Sequence, residues 1–332
     1  MSVKHFLFLL ISVSLFFACG NSNPETEPKT ETAKPSPMDP TKAVLEYKTK
    51  AQLGEGALWN YKTQEFYWVD IEGKQLHIYN PKTKKNRSFL TPSRIGTVVA
   101  SGHQEAMIAL EDGIYKLNLR TRSLSLFVAV ESDQPENRFN DGKCDPAGRL
   151  WVGSMHLDQT PNAANLWKID KDGTSTKMLD NITVSNGIVW TKDKKTMYYT
   201  DTPTGVIRAF DYDVTLGTIA NGRVAVTVPE SLGYPDGMTI DENDQLWVGL
   251  WNGNAVAHFD PITGKLLSKI EVPAHNVTAC AFGGRNLDTL YITTASVDMT
   301  EKELLQYPDA GSVFMTVPGV KGVPSTFFGE GD

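Results

Sequence analysis

Three observations predict an all-β fold, a six-bladed β-propeller. A pair of short strand patterns recurs six times, the copies are evenly spaced, and no long amphipathic helix pattern competes with them. The second residue of each copy, an aromatic residue or isoleucine, falls at Tyr67, Ile108, Trp151, Tyr198, Trp247 and Tyr291, which gives spacings of 41, 43, 47, 49 and 44 residues. A four-stranded blade needs about 40 to 50. A β-sandwich or two smaller β domains would not require six copies at nearly constant spacing.

Before the repeat, Lys4 and His5 precede an apolar run over residues 6–17 that stops at Ala18, Cys19 and Gly20. The run is short for a hydrocarbon layer of about 30 Å, and residues 1–18 read as a secretion signal. The segment resembles a bacterial lipoprotein signal. That resemblance implies lipidation at Cys19 and a chain exported to the cell envelope, facing the periplasm and touching membrane only through its anchor. Residues 19–40 are Pro, Glu, Thr, Lys, Ser and Asn with almost nothing apolar, so burial cannot offset the entropy of ordering them and a tether is expected.

The propeller is expected over residues 41–332. Its paired runs are 66–71 with 76–80, 107–110 with 113–117, 150–153 with 165–170, 197–201 with 205–211, 246–249 with 255–260, and 290–294 with 311–315. Turns such as Asp145-Pro146-Ala147-Gly148-Arg149 and Asp241-Glu242-Asn243-Asp244-Gln245 punctuate them. Trp68, Trp151 and Trp247 lie inside strand patterns and read as blade packing. The ring is expected to close by pairing residues 43–47 with the C-terminal strands over 313–328, which removes an exposed edge.

A chain that is 40% hydrophobic and 21% charged can build a large core, and is neither wholly disordered nor a multi-span membrane protein. Its formal charge of −7 is spread without a basic stripe, which argues against nucleic acid as a partner. A monomer is expected. With Cys19 assigned to lipid, Cys144 and Cys280 remain, and a domain of this size folds without a staple, so both are read as free thiols.

Common catalytic signatures are missing: there is no Gly-x-Ser-x-Gly elbow, no His-Glu-x-x-His pair and no phosphate loop, and the six histidines are scattered. Instead, carboxylates and amides sit in tight turns flanked by Gly or Pro beside strands. These are Gly54-Glu55-Gly56, Arg138-Phe139-Asn140-Asp141-Gly142-Lys143, Ser185-Asn186-Gly187 and Pro235-Asp236-Gly237. Singly, each has a structural reading: Glu55 as a solvated turn acid, Asn186 as a left-handed turn residue, Asp236 as a turn former and Asp141 as a hairpin cap. Together on a six-fold repeat, they point to one site.

With these motifs the sequence resembles the gluconolactonase, regucalcin and senescence-marker-protein family along essentially the whole domain. The stretch from Arg138 to Gly148 is the most specific. The resemblance implies a divalent metal held by Glu55, Asn186 and Asp236, with Arg138 and Asn140 on the substrate. It places Asp158, after Gly153-Ser154-Met155, as a further substrate contact. Two carboxylates with neutral amide oxygens make a hard site that suits Ca²⁺ first, with Mg²⁺, Mn²⁺ or Zn²⁺ as alternatives. The expected activity is hydrolysis of a small sugar lactone, with the ion polarising the carbonyl and Asp236 activating water. The alternatives are hydrolysis of another cyclic ester or a phosphotriester, and a non-catalytic lipoprotein that binds calcium or sugar.

Overall fold

The computed structural model describes residues 39–331 apart from residue 103, together with Ser12, Ser14 and Leu15. Cys19 and the rest of the expected signal and tether lie outside the described residues. From residue 44 to residue 316 the chain forms six four-stranded antiparallel sheets, the blades of a propeller. Blades 1 to 5 span residues 54–90, 95–129, 137–182, 185–227 and 234–271. The sixth takes three strands from 276–316 and its outermost from Val44–Tyr47.

Closure follows the expected pairing in part. Val44 lies opposite Met315, Leu45 opposite Phe314 and Tyr47 opposite Val313, so the start of the domain completes its last blade. Residues 317–328, expected in that closing sheet, instead leave it, as do residues 329–331 after them. They bridge Gly322 to Asp241 and Phe328 to Ser101, and they bury Phe327 and Phe328. Pro318 and Pro324 lack the N–H that a ladder needs, which is why this tail straps the ring rather than extending a blade.

Packing follows the ring. Six apolar clusters fill the six contacts between neighbouring blades, and the cluster of Trp59, Phe66, Trp68, Ala279 and Tyr291 seals blade 6 to blade 1. Trp68, Trp151 and Trp247 are buried in these layers, as expected. The turns that precede the strands of Trp151 and Trp247 are clasps built alike. Asp145 accepts from Trp151 Nε1 at 2.9 Å and Asp241 from Trp247 Nε1 at 3.0 Å, while each also caps its own turn backbone. Cys144 and Cys280 are buried free thiols.

Candidate active site

The innermost strands of blades 1, 3, 4 and 5, Gly54–Asn60, Asn137–Cys144, Ser185–Trp190 and Tyr234–Ile240, carry the predicted residues near their starts. All four begin at one mouth of the central channel. In each, the register with the second strand slips where those residues lie: between Glu55 and Leu58, Phe139 and Gly142, Ser185 and Ile188, and Pro235 and Met238. A regular strand sends alternate side chains to opposite faces, whereas a bulge breaks the alternation and re-aims a side chain. The motifs read as tight turns beside strands are therefore bulges inside buried strands. The glycines serve this packing: a Cβ at Gly187 would stand 2.7 Å from Asp236 O in the next blade, and Gly56 takes a φ of +61°.

Five predicted residues converge. Glu55, Arg138, Asn140, Asn186 and Asp236 are all buried, and Asp141 is buried with them. Arg138 Nη1 donates to Asn140 Oδ1 at 2.7 Å and to Phe139 O at 3.1 Å. Asn140 Nδ2 donates to Ser185 O at 2.7 Å and to Asn186 Oδ1 at 3.1 Å. Asn186 Nδ2 donates to Thr202 Oγ1 at 2.8 Å, and Thr202 Oγ1 donates to Pro235 O at 2.8 Å. The chain of bonds has one polarity, because Pro235 O can only accept. Thr202 spends its proton there, accepts from the Asn186 amide nitrogen, and so presents Asn186 Oδ1 to the site.

The carboxylates are the unusual part. Each accepts a hydrogen bond from the backbone N–H of the glycine that follows it: Glu55 from Gly56 at 3.1 Å, Asp141 from Gly142 at 2.8 Å and Asp236 from Gly237 at 2.9 Å. Among the described residues none of the three forms an ion pair with a Lys, Arg or His side chain. Burial, with the Asp141 charge added, pushes Glu55 up to about 8. Asp236 is driven well above the usual carboxylate range by burial and by the charges of Glu55 and Asp141. The Glu55 and Asp236 carboxyl groups are close enough to share a hydrogen bond. Burial also raises Asp141 and pulls the Arg138 guanidinium down to about 10.

Buried charges are normally paired or bound to metal, so uncompensated carboxylates beside an oriented amide oxygen fit a hard divalent cation. Among the described residues no group of three or more His, Cys, Asp and Glu side chains is arranged to hold a metal. The fitting set is two carboxylates with an amide, Glu55, Asp236 and Asn186.

Asp158 stands apart. It is exposed on the turn after Leu150–His156, whose last residues pair with Asn137 and Arg138, so it lies at the rim of the same mouth. His156 is committed locally, accepting from Asp158 N at 3.1 Å and bonding Glu136 at 3.3 Å. Two members of the site have no functional role assigned from sequence, where Asp141 reads as a hairpin cap. Asp141 adjoins a predicted residue and could have been found there, whereas Thr202 carries no sequence signal.

A profile described as the SMP-30/Gluconolactonase/LRE-like region matches residues 53–296. A Bacillus subtilis protein named for sugar lactone lactonase activity, YvrE, is 43% identical over 272 residues, 82% of this chain and 93% of its own length. Regucalcin of Danio rerio is 36% identical over 290 residues, 86% of this chain and 98% of its own. Among solved structures, a calcium-binding protein, regucalcin, from Agrobacterium tumefaciens superposes with a TM-score of 0.83 at 25% identity. The match covers 88% of this chain and 98% of the other.

Proposed function

We propose, on the premise that the chain belongs to the SMP-30/gluconolactonase/LRE-like family, that it hydrolyses a small sugar lactone at the channel mouth with the help of one divalent cation. The observation that carries this reading is the set of buried carboxylates that form no ion pair among the described residues, set against a pre-aligned Arg138–Asn140–Asn186 chain. Glu55, Asn186 and Asp236 would hold the ion, with Ca²⁺ favoured by the oxygen donors. When bound, it supplies Lewis-acid polarisation of the lactone carbonyl and neutralises the carboxylates.

The chain's own residues account for the rest. Arg138 and Asn140 bind and orient the sugar hydroxyls and the ring oxygen, contributing position more than charge transfer. With Oδ1 of Asp236 held by Gly237 N, its other oxygen would take a proton from the attacking water. The water oxygen bonds to the carbonyl carbon, the ring C–O bond breaks, and the proton passes to the departing ring oxygen. The product is the open hydroxy acid. Asp158, at the rim, would touch the far end of the substrate.

The test is a pH-indicator assay on glucono-δ-lactone after chelation and re-addition of Ca²⁺, Mg²⁺, Mn²⁺ or Zn²⁺, corrected for spontaneous opening. Glu55→Gln and Asp236→Asn should each lose about 100-fold or more in kcat/KM, while Asp158→Asn should raise KM with little change in kcat. Tight metal binding without turnover on any lactone would instead establish a binding protein. The apolar N-terminal run supports export and lipidation at Cys19, checked by whether Cys19→Ser releases the chain from the membrane fraction.

A further inference from the structure

The opposite mouth of the channel holds a second compartment. A cavity of about 270 Å³ lies between the far ends of the inner strands and the C-terminal strap. Its lining includes Lys143, Val189, Ile240 and Phe282 from four different blades, and the strap covers it with Val323 and Pro324. The candidate active site sits at the strand starts, so the two compartments occupy opposite ends of the same strands.

We propose that this cavity binds a small organic anion, one acidic group on an apolar body, with Lys143 holding the acid. The charge of the lining is the first reason. The whole chain has 39 acidic and 32 basic residues, yet among the described residues the lining of this cavity includes Lys143 and Lys192 and no Asp or Glu. A cavity of that sign excludes cations and attracts anions. Lys143 itself is the second reason. Its half-buried side chain reaches from blade 3 to donate one hydrogen bond, to Met238 O of blade 5 at 2.8 Å. An ammonium has three N–H donors, and among the described residues no carboxylate lies within ion-pair distance of this one.

Val189, Ile240, Phe282 and Val323 provide the apolar wall, and the volume is near the lower end of the roughly 300–1,000 Å³ range of small-molecule sites. A polar anion such as phosphate would leave that wall unused. An apolar molecule without charge would leave the ammonium under-bonded. One acidic group on a short apolar body satisfies both.

The experiment is calorimetric titration of the full chain with octanoate, using acetate and 1-octanol as controls that each carry one feature. Octanoate should bind with a stoichiometry near one and at least tenfold more tightly than either control. Lys143→Met should weaken it tenfold or more, and so should Val323→Trp, which fills the cavity from the strap and leaves Lys143 in place. Val323→Trp decides the matter if Lys143→Met does not fold. No saturable octanoate binding, octanol binding as tight as octanoate, or less than a tenfold loss in Val323→Trp would overturn the proposal.

Discussion

Glu55 shows what a functional position does to a single side chain. Its carboxyl is raised to about 8 from an ordinary value of 4.5 by burial and by Asp141. The folded chain therefore binds this proton more firmly than the unfolded chain. Metal-free stability should fall as pH rises from about 4.5 through 8, the reverse of the effect of a salt-bridged carboxylate. Melting curves in chelator across that window should show the decline in the wild type and a smaller one in Glu55→Gln, which should melt a few degrees higher at pH 8. Thr202 makes the complementary case. Thr202→Val removes the acceptor that orients Asn186, and metal affinity should drop roughly 10- to 100-fold. Titration of the chelated protein with Ca²⁺ would measure that drop, with circular dichroism unchanged. Neither effect was legible in the sequence, where Glu55 reads equally well as a solvated acid and Thr202 as an ordinary loop residue.

At the level of elements, the repeat disclosed the second and third strands of each blade, because they gather the aromatic and branched residues that pack between blades, such as Tyr67, Trp151 and Trp247. The inner strands escaped it. Gly54–Asn60 and Ser185–Trp190 are just as buried, but they open with Gly, Glu, Ser and Asn residues that imitate turns. The outer strands escaped for a different reason: Ser175–Ile182 and Lys265–Glu271 are largely exposed and polar. Gly187→Ala tests the bulge directly, since the added Cβ would press on Asp236 O. It should cost about 1–3 kcal/mol in denaturant unfolding and weaken metal binding, because blade 5 must shift away from blade 4.

For the whole molecule, closure is the decisive feature. Deleting residues 39–47 would strip the outer strand from blade 6 and expose the edge of Val313–Thr316. The truncated chain should melt at lower temperature and self-associate in size-exclusion chromatography. The sequence by itself determined the number of blades, the closing of the ring by residues 43–47 against the C-terminal region, and the motifs that point to one site, because repeat spacing and short motifs are local properties of the chain. Only the tertiary structure decided that those motifs are bulges, that Asp141 joins Glu55 and Asp236, that Thr202 orients Asn186, and that residues 317–331 strap the far mouth. Each of these depends on which strands lie side by side around the channel. Burial, charge coupling and close backbone approach are set by neighbours tens to hundreds of residues away, and no local pattern records them.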